Sequence, residues 1–165
     1  MIFVTVGTHE QQFNRLLKEM DRLVESGIIK EEVFIQTGFS TYEPKFCKWS
    51  KLIPYKEMKE KVEKARIVIT HGGPASFIAP LQIGKIPIVV PRQLEFEEHV
   101  NNHQLDFAKQ VSERMGTIIP VYDIETLGDI IKNYKNIIKE MNKDNNSNNM
   151  DFCRKFEKIV EELFM

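Results

Sequence analysis

Only two cysteines occur in 165 residues, Cys47 and Cys153, far apart and in no metal-binding spacing. Neither a disulfide framework nor a cysteine zinc site follows from that count, and both are expected as free thiols in a reducing compartment. No apolar run approaches the roughly 20 residues that a bilayer span requires. The N-terminus has neither a charged n-region nor a long apolar h-region, so no signal peptide is expected. A net charge of −1 and a pI near 6.4 leave no global basic field to draw nucleic acid or an anionic membrane. The expectation is a soluble, cytoplasmic chain that binds no nucleic acid.

Several spaced signatures are missing as well. One glycine lies between Val4 and Phe13, so no GxGxxG follows the first strand. Gly84-Lys85 is followed by Ile86, and position 79 is alanine, so there is no Walker loop. Nicotinamide and nucleoside-triphosphate readings lose ground accordingly. GxSxG is absent, which removes the usual α/β-hydrolase signal. No Asp-x-Asp is available to hold a divalent ion on a nucleotide diphosphate. His99 and His103 stand at i and i+4, but no third ligand beyond Glu95 or Glu98 completes a zinc site, and no metal is expected.

What is present is a repeating alternation of apolar runs and amphipathic stretches. Hydrophobic content of 42% and charged content of 28% suit one globular domain with a real core. Met1 to Val6 reads as a strand, and a domain that begins on its first central strand is expected to be very compact or half of something larger. Gln11 to Ser26 has Phe13, Leu16, Leu17, Met20, Leu23 and Val24 at helical spacing. Val33 to Gln36 is the next strand, with Thr37-Gly38 at its end. Phe39 to Ser50 reads as irregular, Leu52-Ile53 as a short strand, and Tyr55 to Ala65 as a charged helix. Ile67 to Thr70 and Ile86 to Val90 are buried strands around a helix over Ala75 to Ile83. A polar loop over Arg92 to His99 leads to a helix ending near Arg114, then a strand over Thr117 to Val121 and a helix over Asp123 to Met141. Residues 142–149, NKDNNSNN, form a polar linker. Met150 to Met165 is an amphipathic helix expected to pack on its own domain or on a partner.

This alternation predicts an α/β fold: a Rossmann-like parallel sheet with helices on both faces. Ligands in such sheets bind outside the carboxyl ends of the strands. That rule gathers Gly7-Thr8-His9, Thr37-Gly38, His71-Gly72-Gly73 and the loop from Arg92 to Gln104 onto one edge. Gly72 and Gly73 sit where a strand hands over to a helix N-terminus, whose first N–H groups lack helical partners and carry positive dipole charge. The stretch is either a tight turn or an anion site. Backbone N–H groups, the Ser76 hydroxyl, imidazoles and Arg92 would suit a diphosphate without a metal. Glu97, Asn101, Asn102, His103 and Gln104 offer donors and acceptors to adjacent hydroxyls. Together these describe a nucleotide-sugar site.

Three ordered motifs carry a resemblance: Thr70-His71-Gly72-Gly73-Pro74-Ala75-Ser76, Gly84-Lys85-Ile86-Pro87-Ile88-Val89-Val90-Pro91-Arg92, and Glu98-His99-Val100-Asn101-Asn102-His103-Gln104. To about residue 140 the chain resembles the C-terminal, donor-binding half of the family 28 (MurG-like) GT-B glycosyltransferases. Val4 to Glu10 looks like the opening of their split, two-subunit version, found in bacterial capsule and exopolysaccharide galactosyltransferases and in the soluble subunit of the dolichol-pathway N-acetylglucosaminyltransferase. The resemblance implies a nucleotide-sugar-binding half-domain over residues 1–141. Gly7, Thr8 and His9 would lie near the diphosphate. His71, Gly72, Gly73 and Ser76 would hold phosphates, and Glu98, His99, Asn102, His103 and Gln104 would face the sugar. The segment Ile53 to Met58, with Tyr55 and Met58, would border the uracil. Many members carry a ribose-gripping glutamate where this chain has Ala79.

The resulting expectation is a UDP-sugar-dependent hexosyltransferase subunit, galactose first and N-acetylglucosamine second, acting on a lipid-diphosphate-linked acceptor. UDP-sugar is the substrate, with no cofactor. A membrane-anchored, acceptor-binding partner would hold the chain at the inner face of the membrane. Arg92 is expected to help stabilise the leaving diphosphate. His9 is expected as general base, or else as a diphosphate or sugar contact. The competing class is a non-catalytic nucleotide-sugar-binding scaffold whose partner carries the chemistry.

Overall fold

A computed structural model describes residues 1–141 and Arg154. The expected linker over 142–149 lies outside the described residues, as does the expected helix over 150–165 apart from Arg154. Six parallel strands, β1 (Ile2–Thr5), β2 (Val33–Gln36), β3 (Lys48–Ser50), β4 (Ile67–His71), β5 (Ile88–Val90) and β6 (Ile119–Pro120), form one sheet in the order β3-β2-β1-β4-β5-β6. The chain builds outward one way from β1 through β3, then returns to β1's other side and builds the opposite way. The strand order therefore reverses between β1 and β4, and the crevice at their carboxyl ends is where such sheets take ligands.

Helices cover both faces, as expected. Side chains alternate along each central strand. Ile2, Val4, Ile67, Ile69, Ile88 and Val90 meet α1 (Asn14–Glu25) and α5 (Leu127–Met141) through Leu16, Leu17, Met20, Leu23, Ile131 and Tyr134. On the other face, Phe3 and Val68 meet Val62 of α2 (Tyr55–Lys64), while Val89 packs with Phe77 of α3 (Pro74–Gln82) and with Ala108 and Val111 of α4 (His103–Met115). Pro74 opens α3 at a position whose N–H would have no helical partner.

One expected strand is misplaced. The edge strand is Lys48–Ser50, not Leu52-Ile53, and it pairs Ile35 with Trp49 and Gln36 with Ser50. Its side chains are exposed or half-buried, so it carries no apolar signature. A buried carboxylate organises the stretch before it. Asp21 of α1 accepts from the Tyr42 hydroxyl and from the amides of Lys45, Phe46 and Cys47, and these bonds hold its pKa below the usual value against the opposing effect of burial. The Lys85 ammonium donates to the carbonyls of Val62, Glu63 and Ala65 and so ties the turn before β5 to the end of α2.

Candidate functional site

The turn after β1 and the turn after β4 meet through one imidazole. A Cβ on Gly7 would lie 2.4 Å from His71 Nε2, and one on Gly73 would lie 2.2 Å from His71 Cε1. Gly7 also has φ +76°, in the left-handed region. Both glycines are thus demanded by the ring between them. The Gly73 amide donates to His71 Nδ1 at 3.1 Å, so the protonated nitrogen of the neutral ring is Nε2, which donates to Ser76 Oγ at 2.8 Å. Burial, reinforced by the Arg92 charge, pushes the His71 pKa down to about 4 and keeps the ring neutral at physiological pH. With its oxygen already accepting, the Ser76 hydroxyl has its own proton to offer at the first turn of α3.

His9, after β1, repeats this arrangement. Its Nδ1 accepts from the Gln11 amide at 3.1 Å, so neutral His9 carries its proton on Nε2. Its ring packs 4.8 Å from that of half-buried His99. Burial first, then Arg92 and His99, lower its pKa. In this geometry His9 presents an N–H, whereas a general base needs a lone pair. This favours the contact role over the base role.

Three further expectations are corrected. The Gly72 and Gly73 amides are not uncapped, because Gln104 Oε1 accepts from Gly72 N–H at 3.0 Å and His71 Nδ1 takes Gly73. Ser76 N–H bonds to Gly73 O, which leaves the exposed Ala75 N–H at the helix start. Arg92 does not face a phosphate. Its fully buried guanidinium donates to the carbonyls of Val6, Gln11, Gln12 and Glu98, fastening the loops after β1 and β5 together. Glu98 does not face a sugar either. It is fully buried, gripped at both oxygens by Arg15 at 2.9 Å, and accepts from Gln93 N–H. Buried charge needs such partners, and Arg15, 83 residues away, leaves no local trace in the sequence.

The remaining expected residues divide by position. Met58 is half-buried against the Phe3 cluster and so faces the core, while Tyr55, 83% exposed, stands free at the start of α2. Buried Thr37 and Gly38 use their amides to extend the β2–β3 ladder, donating to Ser50 O and Lys51 O. Thr8 is exposed. Asn102 Oδ1 accepts from Leu94 N–H and closes the loop before α4. His103 and Gln104 open α4, with Gln104 Oε1 shared between the Gly72 and Arg92 amides.

Between α3 and α4 lies a cavity of about 340 Å³ lined by Gly72, Pro74, His103, Gln104, Asp106, Phe107 and Gln110. Three of these are expected site residues. Asp106, Phe107 and Gln110 are additions, legible only as the positions one helical turn and two turns beyond His103.

Comparisons with known proteins concern the family and the fold. The chain is 33% identical over 100 residues to the human UDP-N-acetylglucosamine transferase subunit ALG13, covering 60% of this chain and 7% of that protein. It is 31% identical over 121 residues to the mouse protein of that name, covering 66% of this chain and 10% of the other. It therefore spans a tenth or less of those relatives. The glycosyltransferase SnogD from Streptomyces nogalater shares the fold at a TM-score of 0.51 and 17% identity, over 73% of this chain and 30% of SnogD. Residues 1–163 match the glycosyltransferase family 28 C-terminal domain, and the chain belongs to that family.

Proposed function

We propose that this chain is the donor-binding subunit of a two-chain inverting glycosyltransferase. It would move a hexose from a UDP-sugar to a lipid-diphosphate-linked acceptor held by a membrane-anchored partner. The observation that carries the reading is the crevice between β1 and β4, where His71 locks the Ser76 hydroxyl at the N-terminus of α3 beside a cavity. Family membership and the subunit names of the relatives support it. Among the described residues no helix is long and apolar enough to cross a membrane.

In the reaction an acceptor hydroxyl oxygen bonds to the anomeric carbon as the bond from that carbon to the β-phosphate oxygen breaks. UDP leaves with the electron pair, and a base takes the hydroxyl proton. This chain contributes to the leaving group: the α3 dipole, the Ala75 amide, the Ser76 hydroxyl and the His9 N–H are donors where negative charge grows. His9 and His71 both spend a lone pair on a backbone amide, so neither serves as that base. A second reading, the non-catalytic scaffold, is favoured by the internal satisfaction of the Gly72 and Gly73 amides.

Calorimetry of the full chain with UDP, followed by transfer assays with a co-expressed acceptor subunit, tests the proposal. UDP-N-acetylglucosamine and UDP-galactose are the donors to compare. UDP binding together with partner-dependent transfer supports the enzyme. UDP binding with transfer unaffected by Ser76→Ala supports the scaffold, and absence of UDP binding overturns both.

A further inference from the structure

Four residues of α4 lie on one face at i, i+3, i+4 and i+7: His103, Asp106, Phe107 and Gln110. All four line the cavity opposite Gly72 and Pro74. At about 340 Å³ the space is at the lower end of the roughly 300–1,000 Å³ of ligand pockets, which suits one part of a nucleotide-sugar rather than the whole.

The polar groups around it differ in charge. Pro74, which lines it, opens α3, whose N-terminus carries positive dipole charge and the Ser76 hydroxyl. On α4 the exposed Asp106 carboxylate makes no ion pair among the described residues. A carboxylate repels a diphosphate and accepts from hydroxyls. Gln104 has its oxygen committed to the Gly72 and Arg92 amides, so only its NH₂ is left to give. Phe107 rests against Phe77, ring centroids 5.9 Å apart, yet keeps 38% of its surface exposed. This surface can cover the C–H face of a sugar ring.

We propose that the hexose of the donor occupies the α3–α4 cavity, with Asp106 and Gln110 binding its hydroxyls and Phe107 packing on its apolar ring face. The inference rests on the UDP-sugar reading and assigns its sugar end. Asp106 and Gln110 thereby become determinants of which hexose is held, because a hydroxyl moved from equatorial to axial leaves the carboxylate without its donor.

Calorimetry on the full chain separates the two levels, using UDP, UDP-N-acetylglucosamine and UDP-galactose with wild type, Asp106→Ala and Gln110→Ala. Both positions are exposed and helical, so alanine is tolerated, and the UDP titration itself reports an intact fold. The expected result is a Kd for the preferred UDP-sugar raised roughly 10-fold in Asp106→Ala, with the Kd for UDP held within about twofold. Gln110→Ala should act in the same sense. UDP-sugar affinity unchanged in both variants overturns this inference and leaves the donor reading standing. Equal weakening of UDP and UDP-sugar also overturns it, because the nucleotide end would then occupy the cavity. Wild type that binds none of the three overturns the donor reading and this inference with it.

Discussion

His71 Nε2 and Ser76 Oγ lie 2.8 Å apart, joined by a bond whose direction is set by the Gly73 amide on the far side of the ring. The serine oxygen is occupied, and its proton is the group left to meet an anion. Ser76→Ala should therefore weaken UDP binding roughly 10-fold while lowering stability by no more than about 1 kcal/mol. Calorimetry and urea denaturation check the two halves. A stability loss without an affinity loss would reduce Ser76 to a helix-end contact.

Stability should fall on acidification because His71 resists protonation. Its folded pKa is pushed down to about 4, while the unfolded chain takes up that proton near 6.5. Between those values the unfolded state binds more protons, so stability rises with pH. The contribution is complete above pH 6.5 and drains away toward pH 4. His9, also lowered, adds in the same direction. Urea midpoints measured across this range should slope less steeply in His71→Asn, and an unaltered slope would contradict the assignment.

Arg92 should behave as a staple rather than a phosphate ligand. Replacing it with methionine strips four carbonyls of a donor and leaves Glu98 with one fewer neighbouring cation. A cost of about 3–5 kcal/mol is expected, seen as a lowered urea midpoint. A near-normal midpoint with UDP binding abolished would restore the phosphate role.

For His9 the tautomer gives a sharp contrast. If its Nε2–H is a donor, His9→Gln keeps an N–H and should retain kcat within roughly tenfold in the partner-supported assay, whereas His9→Ala should lose more. A base would behave otherwise: both variants would fall by about 10²–10⁴.

The sheet and its helices were legible because burial imposes periodicity. Ile67–His71 and Ile88–Val90 are apolar on both faces, and α1 places Leu16, Leu17, Met20 and Leu23 on one side. Strand β3 escaped notice because an edge strand facing solvent needs no apolar side chains. The glycine turn was visible as Gly72-Gly73, but its reason was not. Gly73 is demanded by a ring two residues earlier in the chain, and Gly7 by that same ring 64 positions away, 71 less 7.

What the order of residues determined unaided was the alternation of strand and helix, and with it the edge where a ligand belongs. Local backbone preferences and short-range apolar spacing are enough for that. Only the tertiary structure decided which polar groups are free. Arg92 and Glu98 were expected to meet a ligand, yet both are spent within the protein on partners from the loop after β1, from α1 and from their own loop. Asp106 received no notice in the sequence, yet it lines the cavity and makes no ion pair among the described residues. A charged side chain looks alike in sequence whether it is satisfied or waiting. The difference is made by desolvation, which forces a buried charge to find donors wherever the fold brings them.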